Sequence, residues 1–183
     1  MARNPADDLR IIRRFADWTA SLPHDIDTAW GLVQNDGIAN PGRRALLTGL
    51  SYLLLQFDLI PDHEKTGAVD DAMVLRVAYA LAADDVKKAG AEVAAFHDDD
   101  LVIREFLGDV LYGKLRAHVE AMIQKPIRGR TAAQLLDDAE SRKDLRRELD
   151  LSLKELPSPL TFDQAQASDI AVSILGYLKI KLP

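Results

Sequence analysis

The stretch Gln56-Phe57-Asp58-Leu59-Ile60-Pro61-Asp62-His63-Glu64-Lys65-Thr66-Gly67-Ala68-Val69-Asp70-Asp71 decides how this chain is read. It places four aspartates between two apolar segments. Upstream, Ala45 to Ile60 is apolar except for Thr48, Ser51, Gln56 and Asp58. Downstream, Val69, Met73, Val77 and Leu81 recur every four residues, which is one face of a helix. Pro61 disfavours the α conformation at Ile60, so the upstream helix ends by about Phe57. Pro61-Asp62 is turn chemistry, and Gly67 permits a backbone angle that other residues avoid. The stretch is therefore a helix–loop–helix joint, and the helix Ala45–Phe57 is expected near the centre of the fold.

Helical signals continue in both directions, and strand-like alternation is absent. Asn4-Pro5 starts a first helix, with Asp7 and Asp8 at its positive end and Ile11, Ile12, Phe15 and Trp18 as its apolar stripe. Leu22-Pro23 is expected to stop it. A short helix then spans Asp25–Val33, and Asn40-Pro41-Gly42 opens the central one. The helix after the acidic loop is expected to pause at Gly90. His97-Asp98-Asp99-Asp100 is read as the start of a long helix with the stripe Leu101, Val102, Phe106, Val110, Leu111, Leu115, Val119 and Met122.

Pro126 and Gly129 end that helix, and Thr131 with Gln134 has capping-box spacing. The helix behind it carries Leu135, Leu136 and Ala139, with an interruption over Glu140–Asp144. Pro157 and Pro159 bound a linker, and Thr161 with Gln164 reads as a second capping box. The predicted fold is all-α, a compact bundle of six or seven helices. It comprises a region 1–90 and a helical region 91–183 packed on it, or one single domain.

Of the 183 residues, 48% are apolar, enough for a core that needs no cross-links. There is no cysteine, which excludes disulfides and thiolate metal sites and fits a cytoplasmic location. The net charge of −6 argues against a nucleic-acid partner. No apolar run follows Arg3 as a signal peptide would require, and the Ala45–Ile60 segment is too short and too interrupted to span a bilayer. Phosphate-binding loops, dinucleotide fingerprints and Ser or Cys nucleophile motifs are missing.

The run Tyr52-Leu53-Leu54-Leu55-Gln56-Phe57-Asp58-Leu59-Ile60-Pro61-Asp62, then Gly67-Ala68-Val69-Asp70-Asp71 and an apolar helix, resembles the YkvA-like domain, a bacterial family of unknown function. The resemblance covers about residues 41–81. It rests on Asp-Leu-Ile-Pro-Asp followed, at the family's spacing, by Gly-x-x-Asp-Asp. It implies a small helical domain and, through members described as membrane-associated, contact with a bilayer surface. Two departures stand out. Gln56 replaces a proline of the family pattern, and the usually apolar loop is the polar His63-Glu64-Lys65-Thr66.

Two readings of Asp58, Asp62, Asp70 and Asp71 are open. In one they are caps and turn residues: Asp58 where the chain leaves a helix, Asp62 in the turn, and Asp70 and Asp71 at the start of the next helix. In the other they converge on a hard divalent cation, with His63 as a further candidate ligand. A wider metal-hydrolase set would join His63, His97-Asp98 and Asp138. The basic segment Lys125–Arg130 carries too few charges to grip nucleic acid.

With no catalytic set assembled, the expected function is non-enzymatic: interaction with a protein partner or self-association. A metal-dependent hydrolase using the aspartates is the alternative, and peripheral membrane association a further one. Ile170, Ile174, Leu175 and Leu178 form the candidate partner-binding face, to be buried either on the chain's own bundle or on a partner.

Overall fold

The computed structural model describes residues 4–55, 58–83, 91–154 and 158–182, with the side chains of residues 91–95 and 97 excepted. Among the described residues the chain is all-α. Its helices are α1 (Pro5–Val33), α2 (Asn40–Tyr52), α3 (Gly67–Ala83), α4 (Ala91–Ile123), α5 (Ala132–Asp137), α6 (Ala139–Ser152) and α7 (Ala167–Lys181), with a short 3₁₀ turn at Gln164–Gln166.

The two helices expected before residue 34 are one. Asn4 caps α1 by accepting from the Ala6 amide, and the helix runs through Pro23 without ending. Proline inside a helix costs about 3 kcal/mol. Beyond it Ile26, Ala29 and Val33 continue the buried stripe of Trp18 and Leu22 in register. Burying an Ile or Val side chain contributes about 1.5–3 kcal/mol each, so the stripe outweighs the proline. Pro23 itself faces solvent.

Helix α2 ends at Tyr52, earlier than expected, in a turn where the Leu54 and Leu55 amides donate to Ser51 and Tyr52 carbonyls. The expected end at Phe57, the departure at Gln56 and the pause at Gly90 lie outside the described residues. Helix α3 is buried on nearly every side, packed between α1, α2 and α4. It is as central as α2, and both flank the acidic joint.

His97–Asp100 lies inside α4 rather than at a helix start. The break comes instead at Gly108, with φ 71° and ψ 161°, a conformation open to glycine alone. The kink divides the expected stripe. Of its members Phe106, Leu111, Leu115, Val119 and Met122 are buried, Val102 is half-buried, and Leu101 and Val110 are 51% and 80% exposed; Ile103, outside the expected stripe, is buried.

The Thr131–Gln134 capping box forms as expected. The next break falls at Asp138, whose carboxylate caps α6 through the Glu140 and Ser141 amides, not over Glu140–Asp144. The second box uses Asp163 and Gln166, two residues on from the expected pair. On α7, Ile170, Ile174, Leu175 and Leu178 are buried, and the helix packs chiefly on α1. One continuous cluster of buried apolar residues runs from Ile11 to Leu182, across both halves of the chain.

Candidate metal centre

The joint between α2 and α3 brings Asp58, Asp62 and Asp71 together. One carboxylate oxygen from each lies within 4.8 Å of the other two. Asp62 meets solvent, whereas Asp58 and Asp71 are only 7% and 2% exposed. Asp58 Oδ1, Asp58 Oδ2 and Asp71 Oδ1 are buried and find no partner in hydrogen-bonding geometry. Leaving a charged, unpaired carboxylate in such a place costs several kcal/mol, so a proton or a cation must compensate it.

The electrostatics follow from this. Burial, and then the nearby Asp62 charge, push Asp58 up to about 7, although its own backbone amide and then Lys181 pull the other way. Burial and the neighbouring aspartates hold Asp71 well above the ordinary carboxylate range. Burial raises Asp62 more modestly, opposed by His63. A set of acids that all resist ionisation, one open to water, is the condition in which a divalent cation gains most by replacing protons.

Asp70 differs from the other three in its Oδ2, although its Oδ1 is buried without a partner like the Asp58 and Asp71 oxygens. It is fully buried, and its Oδ2 accepts from Tyr52 Oη at 2.6 Å and from the Leu59 and Ile60 amides at 3.2 Å each. Its carboxylate does not join the three converging groups. The cap reading holds in part: Asp70 lies in the first turn of α3 and accepts backbone amides, but those of loop residues 59 and 60 rather than of its own helix, while oxygens of Asp58, Asp71 and Asp70 itself stay buried and unsatisfied.

Local geometry explains the loop. Leu59 and Ile60 plug into the core, anchoring the backbone just after Asp58. Bonds from the Glu64 amide to the Pro61 carbonyl and from the Gly67 amide to the Glu64 carbonyl wind the next residues toward α3. Gly67 is not in the left-handed region. Its value is closeness, since a Cβ there would lie 2.8 Å from Asp62 Cα and 2.9 Å from the Pro61 carbonyl oxygen. Helix α7 and the 3₁₀ turn before it tie down the loop: Tyr177 Oη donates to Glu64 at 2.8 Å and Lys65 Nζ donates to Gln166 at 3.1 Å.

Other expected site residues disperse. The His63 side chain is exposed and sits 3.9 Å from Glu64. Asp98 is exposed, the His97 side chain lies outside the described residues, and Asp138 is occupied as a helix cap. The Ile170, Ile174, Leu175 and Leu178 face is buried within the bundle, so it is not a free surface for a partner. Among the described residues no helix is long and apolar enough to cross a membrane.

A second polar feature went unread in the sequence. Arg76 of α3, buried, bonds Asp99 at 2.9 Å and Asp25 at 2.8 Å, and stacks 4.5 Å from the Trp18 ring. Arg14 closes the network on Asp99 at 2.6 Å. These charges pair with each other across α1, α3 and α4, so the network reads as a structural tie beside a cavity of about 340 Å³. No local signal marks such partners, which are 23 to 85 residues apart in sequence.

Set against known protein families, curated proteins and solved structures, the chain matches none.

Proposed function

We propose that this chain is a divalent-cation-binding helical protein whose ion is held at the α2–α3 joint by Asp58, Asp62 and Asp71. The observation that carries the reading is the set of buried carboxylate oxygens on Asp58 and Asp71 that lack a partner and converge with Asp62. Oxygen-only ligands favour a hard cation such as Mg²⁺, Mn²⁺ or Ca²⁺. The resemblance to the YkvA-like domain covers this same joint and is in keeping with a common role for its aspartates.

Three carboxylates leave coordination positions for water on the side where Asp62 meets solvent. A cation with open positions is able to polarise a substrate oxygen, so the hydrolase alternative is a narrower version of this reading. Partner binding has less support, because the apolar face of α7 on which it drew is buried.

The test is a thermal-shift titration of the chelator-treated protein with Mn²⁺, Mg²⁺ and Ca²⁺. A ligand at a hundredfold over its Kd stabilises by about 2.7 kcal/mol, which is readily seen. The rise should vanish in Asp58→Asn and in Asp71→Asn. No rise with any of the three ions, or an undiminished rise in both variants, defeats the proposal.

A further inference from the structure

We infer that Tyr52 and Asp70 are positioning residues for this cation site, a fixed pair that sets the spacing of Asp58 and Asp71 without touching the ion. The inference rests on the cation reading above and deepens it.

Adjacency along the chain links the pair to the ligands. Asp70 directly precedes the ligand Asp71, and Leu59 and Ile60 directly follow the ligand Asp58. Asp70 Oδ2 gathers three donors: Tyr52 Oη at 2.6 Å and the amides of Leu59 and Ile60 at 3.2 Å. The Leu59 amide also donates to Tyr52 Oη at 3.0 Å. The end of α2, the backbone after Asp58 and the first turn of α3 thus meet at one oxygen. A shift of that oxygen moves both buried ligands together.

Tyr52 and Asp70 are both sealed from solvent, so the pair is held by packing as well as by hydrogen bonds. The donors to Oδ2 also hold the Asp70 carboxylate turned toward the loop, which explains why the first aspartate of the Asp70-Asp71 pair stays out of the converging set. Hydrogen-bond partners behind a ligand shell commonly change metal affinity by 10–100-fold when removed.

The competing explanation is that Tyr52 Oη merely stabilises the fold. Helix α3 supplies the control: Tyr79 Oη donates at 2.9 Å to the Asp25 carbonyl, a buried tyrosine bond away from the acidic joint. The experiment compares wild type, Tyr52→Phe and Tyr79→Phe by Mn²⁺ titration, reading free Mn²⁺ by electron paramagnetic resonance, alongside each melting temperature. Tyr52→Phe leaves every charged side chain in place and takes from Asp70 one hydrogen-bond donor.

Both tyrosine variants are expected to melt lower by similar amounts, with the Mn²⁺ Kd raised about tenfold or more in Tyr52→Phe and unchanged in Tyr79→Phe. Asp70→Asn, close in shape, is the second variant should Tyr52→Phe fail to fold, and it too is expected to bind more weakly. Equal affinities for wild type, Tyr52→Phe and Asp70→Asn, or equal losses in the two tyrosine variants, overturn the positioning role while the cation site stands. Failure of wild type itself to bind Mn²⁺, with no stabilisation by Mg²⁺ or Ca²⁺, sinks the site, and the pair's role with it.

Discussion

Gly67 and Asp62 approach so closely that a single added methyl group has nowhere to go: a Cβ on Gly67 would sit 2.8 Å from Asp62 Cα and 3.0 Å from its carbonyl carbon. These are backbone atoms, so no side-chain rotation relieves the contact. The first turn of α3 and the Asp62 loop are built against each other at this point. Gly67→Ala is therefore expected to displace the loop, lowering stability by about 1–3 kcal/mol as overpacking does. The cation-induced rise in melting temperature should shrink with it, because Asp62 leaves the converging set. An alanine variant with unchanged melting and unchanged cation response would show that the loop is not seated on α3 in this way.

The buried acids give the protein without cation a definite pH dependence. The folded state holds Asp58 up to about 7, and Asp70 and Asp71 well above the ordinary carboxylate value of 3.8. The folded form therefore binds more protons than the unfolded one at pH values between these limits. The contribution of these groups to stability therefore falls as pH rises from about 4 through 7, the reverse of a carboxylate with a cationic partner. In chelator the melting temperature is expected to be several degrees lower at pH 8 than at pH 5, since each kcal/mol lost lowers it by roughly 2–4 °C for a chain of this size. Saturating Mg²⁺ or Ca²⁺ should flatten the decline above pH 7, because the ion takes the place of the protons. A melting temperature that climbs with pH in chelator would mean that burial does not keep these carboxyl groups protonated in the folded state.

What was legible in the sequence was the joint, and what was hidden was the division of labour within it. The pattern from Asp58 to Asp71 marked two helices, a turn and four acids, because helical periodicity and proline chemistry are local. Asp70 and Asp71 differ only in what they face: Asp70 meets Tyr52, eighteen residues upstream, while Asp71 meets Asp58 and Asp62. Tyr52 already stood in the quoted motif, yet nothing local distinguished a tyrosine ending a helix from one clamping a loop. Pro23 misled for a related reason, since its local effect is real but smaller than the burial of Ile26, Ala29 and Val33 beyond it. Arg76 carried no signal in the sequence, because its partners Asp25 and Asp99 come from α1 and α4.

Gly108 offers a test in which two accounts of the chain differ in sign. Read along the sequence, Gly108 sits in the middle of a continuous apolar stripe, and glycine inside a helix is about 1 kcal/mol worse than alanine. On that account Gly108→Ala should stabilise the protein. The structure instead holds Gly108 at φ 71° and ψ 161°, where a side chain is strained even with open space around the position. The kink is what turns Leu111, Leu115 and Val119 inward while Val110 is left 80% exposed. Straightening the helix to suit alanine would rotate that buried set out of register with Phe106 and Ile103. Gly108→Ala is therefore expected to destabilise by about 1–3 kcal/mol, read from denaturant melts followed by circular dichroism. A rise in stability would mean that α4 runs straight through this position and that the division of its stripe at Gly108 is wrong.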